Sequence, residues 1–201
     1  MWRHDGAVTV VHYVSHPDVV VDPTTPVPEW GLSERGRARL AAMLAQPWVR
    51  GVGRVVSSPE RKARETASAL ADHLGLAVEI RPATGELDRS ATGFVPPDEH
   101  EALADACFAR PDESAAGWER AVDAQARIVA ALADLLGAPD AAAGTGSDVV
   151  VVGHGGVGTL WWCHLAAEPI DRRFDQPGQG HRFCVDRRTG RPLDHWVPVD
   201  A

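Results

Sequence analysis

The chain has 201 residues, 44% of them apolar and 24% charged, which suits one substantial buried core and excludes a disordered or fibrous protein. Its formal charge of −8 argues against a general nucleic-acid or anionic-membrane surface, so an anionic substrate needs a local exception. Cys107, Cys163 and Cys184 are odd in number and lack C-x-x-C spacing, which speaks against a disulfide framework or a zinc site and for a reducing cytoplasm. The N-terminal apolar run is too short for a signal peptide, and no segment approaches the ~20 apolar residues of a membrane helix.

In chain order, the β-branched run AVTVVHYV (residues 7–14) predicts a buried strand. It leads into SHPDVVVDPTTPVPEWG, whose four prolines forbid an α-helix and leave a long loop of the kind that tends to be functional. Ser33 caps a helix over 34–45, with Leu40 and Leu44 on its apolar side. A short strand at 54–56 runs into SSPE, read as a cap plus a proline at the first helical position, and a helix continues to Leu74. A strand follows at 77–80 and an irregular stretch at 82–97. Residues 98–136 have a helical pattern broken near Pro111, with Trp118, Val122, Ile128, Val129 and Leu132 on the buried stripe of its second part. The segment GAPDAAAGTGS is a flexible connection. A strand at 149–152, a helix at 156–166 and a terminal hairpin turning at Thr189-Gly190 complete the chain. Alternating strands and helices predict an α/β sandwich with ligands beyond the carboxyl ends of its strands.

Gly153, Gly155 and Gly158 fit the G-x-G-x-x-G spacing of a dinucleotide-binding turn. That turn normally follows the first strand, whereas here it lies three-quarters of the way along, with too little chain after it to complete such a site. The other reading is a strand end that presents His154. The first strand ends on Ser15-His16, so two imidazoles emerge on one edge of the sheet.

Five segments taken in order resemble the histidine phosphatase superfamily, which includes the cofactor-dependent phosphoglycerate mutases. YVSHPD stands at the Arg-His-Gly nucleophile motif and LSERGRARL at the Leu-Ser-x-x-Gly helix start. SSPERKARETA follows Ser-Ser-Pro-x-x-Arg-Ala-x-x-Thr-Ala, GELD supplies the acidic residue, and VVGHGGVG matches the second histidine motif. DES, with Arg120 downstream, is similar to a further Gly-Glu-Ser element. The resemblance implies a three-layer α/β/α sandwich with a mostly parallel sheet, phosphoglycerate mutase-like, formed by residues 1–201 as a single domain. It also implies a nucleophile at His16, a general acid and base at Glu86 (with Asp88 as the alternative), and transition-state stabilisation by His154.

The chain departs from the motifs at three places. Ser15 replaces the arginine before the nucleophile, Pro17 replaces the glycine after it, and Lys62, the only lysine beside nineteen arginines, takes the place of the arginine in the SSP helix. A compact ammonium does not replace a planar guanidinium at a bidentate site. Ser15, Ser58, Arg61 and Lys62 are the expected phosphate-binding residues, with Arg64, Thr24 and Thr25 as further candidates; capping and turn bonding are the competing roles of the hydroxyls. Trp161 and Trp162 read as core, while Trp30 stands near the expected site mouth. The expectation is a metal- and cofactor-free phosphatase acting on a small phosphorylated metabolite, with no nucleic-acid or membrane partner and with a homodimer left open. The rival is a catalytically degenerate member of the same fold that binds a phosphorylated ligand or a partner.

Overall fold

The computed structural model describes residues 8–137 and 147–201. Ala7 and most of the connection 137–147 lie outside these residues. The elements are β1 (Val10–Ser15), α1 (Glu34–Leu44), β2 (Val52–Ser57), α2 (Arg61–Leu74), β3 (Val78–Ile80), α3 (Pro97–Ala109), α4 (Ala121–Leu132), β4 (Asp148–Gly153), α5 (Gly155–Ala166), β5 (His181–Asp186) and β6 (Val197–Pro198).

One six-stranded sheet runs in the order β3-β2-β4-β1-β5-β6. The first four strands of that order are parallel, while β5 and β6 pair antiparallel at one edge. The pleat sends alternate residues to opposite faces. Val11, Tyr13, Val56, Val149 and Val151 meet α3, α4 and α5 on one side, and Val14, Val55, Val150 and Val152 meet α1 and α2 on the other. The result is a three-layer α/β/α sandwich.

Local differences from the expected elements have physical reasons. The second helix starts at Arg61 with Glu60 as its cap, so Pro59 lies in the preceding turn and not at the first helical position. The fourth begins at Ala121 and not near 115, because Ala116 and Gly117 take positive φ (51° and 83°) in a turn. Trp118 remains buried in that turn, its Nε1 donating to Thr92 Oγ1 at 2.9 Å. The proline-rich front segment contains one short 3-10 turn, Val27–Glu29.

The third glycine of the G-x-G-x-x-G spacing has a packing role. A methyl group at Gly158 would meet the Tyr13 ring and Trp196, both in the core. Gly158→Ala is therefore expected to destabilise the protein by ~1–3 kcal/mol through overpacking, read from the shift of a denaturant unfolding midpoint.

Candidate active site

Register brings the chemistry together. In the parallel ladder Ser15 pairs with Gly153 and Ser57 with Val152, so β1, β2 and β4 end at one level and deliver His16, Ser58 and His154 to the same edge. The His16 amide donates to Gly153 O (3.1 Å), and the two imidazole centroids stand 5.3 Å apart, with their planes inclined at 68°. Tyr13 pins the second ring from below: its hydroxyl donates to His154 O (3.1 Å) and accepts from His154 N (3.2 Å).

His16 lies on the wall of a cavity of about 640 Å3. Its Nδ1 is 2.9 Å from Pro17 O, and a carbonyl only accepts, so Nδ1 carries the proton and Nε2 keeps its lone pair. Burial, with the nearby His154 and Lys62, pushes this imidazole down to about 3. It is a neutral base at physiological pH. Its loop is braced from outside: Gly180 N donates to His16 O (3.0 Å), and Arg39 joins Asp18, Asp200 and Gly180 O across the strand end.

Glu86 also faces the cavity. Its oxygens accept the amides of Gly156 (3.1 Å), Val157 (3.0 Å) and Leu87 (3.0 Å), so the carboxylate caps α5 beside His154. Arg127 clamps the loop beneath by donating to Ala83 O, Gly85 O and Glu86 O. Asp88 instead closes a local turn onto Ser90 N and is absent from the cavity wall.

Behind His16 lies a group that the motif reading passed over. The Glu60 carboxylate touches Lys62 Nζ (2.5 Å) and His154 Nε2 (3.3 Å) and accepts the Glu86 amide (2.9 Å). Burial alone would lift this carboxyl, but the neighbouring His154 and the Lys62 ammonium act against it and hold it at about 2. Ser58 Oγ is 2.6 Å from the same His154 nitrogen. His154 is fully buried, with Nε2 enclosed by Ser58 and Glu60 and Nδ1 left unpartnered. Burial is the main cause that depresses its pKa, against the pull of Glu60 and Glu86. The rings converge as the motif reading expects, yet only His16 opens to the cavity. The acidic residue at the α2 cap was the visible signal for Glu60.

The other expected phosphate ligands are placed differently. Ser15 is fully buried, its Oγ donating to Gln176 Oε1 (2.5 Å) and accepting from His181 N (3.0 Å), so it braces β5 and the loop before it. Lys62 is buried, bound to Glu60 and to Val27 O (2.9 Å). Arg61 pairs with Glu65 (2.8 Å) outside the cavity, and Arg64 is exposed. The hydroxyls of Thr24 and Thr25 close a turn on Asp22. Trp30 reaches the cavity wall, Trp161 is core, and Trp162 packs on Phe174 and His195.

Among the described residues no cluster of three or more His, Cys, Asp or Glu side chains is arranged to hold a metal, and no helix is long and apolar enough to cross a membrane.

Two buried neutral imidazoles and a low-lying carboxyl make the fold acid-sensitive. The folded values of His16 and His154 lie below 6.5 and that of Glu60 below 4.5, so the unfolded chain binds more protons in acid and stability falls as pH drops. The His16 part is lost from about 6.5 down to about 3. His16→Asn is expected to flatten the pH dependence of the unfolding free energy across that window, measured by urea unfolding; an unchanged slope would show that His16 titrates normally.

Residues 24–191 match the histidine phosphatase superfamily (branch 1), a span that begins after the altered Ser15-His16-Pro17 segment. No curated protein matches the chain significantly. Among solved structures, a mycobacterial glucosyl-3-phosphoglycerate phosphatase in complex with inorganic phosphate superposes with a TM-score of 0.75 at 21% identity, covering 96% of this chain and 99% of the other. An Escherichia coli protein described as an alpha-ribazole-5'-P phosphatase gives 0.73 at 16% identity (96% and 98%), and Bacillus stearothermophilus YhfR gives 0.73 at 17% (96% and 98%). At these identities the likeness establishes the fold; the family match, spanning most of the sequence and including the SSP helix, Glu86 and His154, shows that the chain belongs to the histidine phosphatase superfamily.

Proposed function

We propose that this protein, a single domain over residues 1–201, hydrolyses a small phosphomonoester through a phosphohistidine on His16. The observation that carries this reading is the His16 ring itself: neutral, with Nδ1–H committed to Pro17 O and Nε2 free on a cavity wall. In the first step Nε2 attacks phosphorus as the P–O bond to the alcohol breaks, and the departing oxygen takes a proton that enters with the phosphate monoanion and is relayed by the Glu86 carboxylate. In the second, Glu86 takes a proton from water, which attacks phosphorus and releases phosphate from Nε2. The residues that hold these groups are all protein side chains and amides, and the scheme uses no metal or cofactor. A cytoplasmic location fits the free cysteines.

His154 and Lys62 serve the spreading charge on the phosphoryl oxygens by exchanging one anion for another. Glu60 occupies their donors and neither side chain lines the cavity, so that exchange requires the Glu60 carboxylate to swing aside as the phosphoryl oxygens enter. Lys62 replaces an arginine and Glu60 offsets its charge, so the grip on a dianion is weak. That offset is also the one feature favouring the second reading, a degenerate member that binds a phosphorylated ligand without turnover.

With an aryl phosphate and a chelator present, wild type is expected to turn over and to trap acid-labile radiolabelled phosphate. His16→Ala should do neither, and Glu86→Gln should lower kcat by about 10²–10⁴-fold. Equal hydrolysis by wild type and His16→Ala would remove the covalent route, and no hydrolysis by either would leave the binding reading. Glu60→Gln is expected to tighten competitive inhibition by inorganic phosphate about threefold or more, because Lys62 loses an ion pair comparable to a charged hydrogen bond; a weaker inhibition constant would mean that Glu60 organises the donors instead of occupying them.

A further inference from the structure

The cavity is several times larger than a phosphoryl group and has the volume of a small-molecule site. Assuming the phosphomonoesterase reading, the remainder of that space must receive the alcohol portion of the substrate. Two cations line it. Arg172 is already matched by Glu101 (2.7 Å), Asp175 (3.3 Å) and Asp105 (3.6 Å). Arg89 has no carboxylate partner among the described residues, in a chain that carries eight negative charges in excess.

Arg89 is nevertheless held in place. Its Nη1 donates to His100 Nε2, and its guanidinium carbon lies 5.5 Å from the centre of the Trp118 ring. Burial, and then Arg89 itself, lower the His100 pKa, so that ring stays a neutral acceptor. Trp118 is in turn fixed by its bond to Thr92. The guanidinium therefore has one donor committed, one face against an indole, and its other donors without a protein carboxylate. Donors lying in the plane of a guanidinium suit a planar two-oxygen acceptor. Trp30 and Phe94, with ring centres 5.9 Å apart, supply further aromatic wall.

We propose that the alcohol portion of the substrate carries a carboxylate that pairs with Arg89, while its flat or apolar body lies among Trp30, Phe94 and Trp118. Arg89 is thus a specificity residue, three positions beyond Glu86 on the same loop. The cavity takes a substrate with two separated anionic groups, one at His16 and one at Arg89.

Binding of stable analogues tests this without relying on turnover. Calorimetry would compare phenylphosphonate with 3-carboxyphenylphosphonate on wild type, Arg89→Met and Arg89→Lys, with folding of each variant checked by circular dichroism. Wild type is expected to prefer the carboxylated ligand by about tenfold or more, the factor given by a charge-assisted hydrogen bond. The preference should fall to near one in Arg89→Met and be intermediate in Arg89→Lys, which keeps the charge but loses the fork. Equal affinities in wild type, an undiminished preference in Arg89→Met, or no binding of either ligand would overturn the assignment. Hydrolysis of the corresponding aryl phosphates reports on the catalytic reading alone, so a carboxylate preference without turnover upholds Arg89 and refutes the phosphatase.

Discussion

The parallel pairing of β1 and β2 with β4 is the constraint on which the site depends. Parallel strands in register end at the same height, so Ser15 opposite Gly153 and Ser57 opposite Val152 bring three distant segments to one edge. Parallel strands of this kind are buried on both faces, which is why they read as valine-rich runs in the sequence. The Tyr13 hydroxyl, bonded to both the amide and the carbonyl of His154, converts that register into a fixed ring position.

Around this scaffold the electrostatics are economical. His16 and His154 are neutral, Lys62 is offset by Glu60, and Glu86 rests on amides at the start of α5. The charge complement expected of an anion site has been dispersed: Ser15 braces β5, Arg61 faces Glu65, and the unmatched guanidinium on the cavity wall is Arg89. In an acidic protein positive potential has to be concentrated locally, and on this cavity wall the unmatched guanidinium lies away from the His16 segment.

Rigidity reaches the site from outside it. Arg39 ties α1, the loop after His16 and the C-terminal segment into one unit, and Arg127 secures the Glu86 loop to α4. Both guanidiniums bind backbone carbonyls as well as carboxylates, so they fix chain position in addition to balancing charge.

The alternation of valine-rich runs with amphipathic segments made the α/β sandwich legible, and strand ends put His16 and His154 on one edge, because strand ends and the turns after them are local features of sequence, whereas Glu86 was singled out only by the resemblance of GELD to the family motif. Local patterns set where a side chain leaves the backbone but not what meets it there. That Ser15 would bond Gln176, that Glu60 would enclose His154 and that Arg89 would stand unmatched beside Trp118 were decided by contacts between segments tens to more than a hundred residues apart. The competition among charged partners for a few buried donors is settled only when the chain has folded, since its outcome depends on distance and burial and not on order along the sequence.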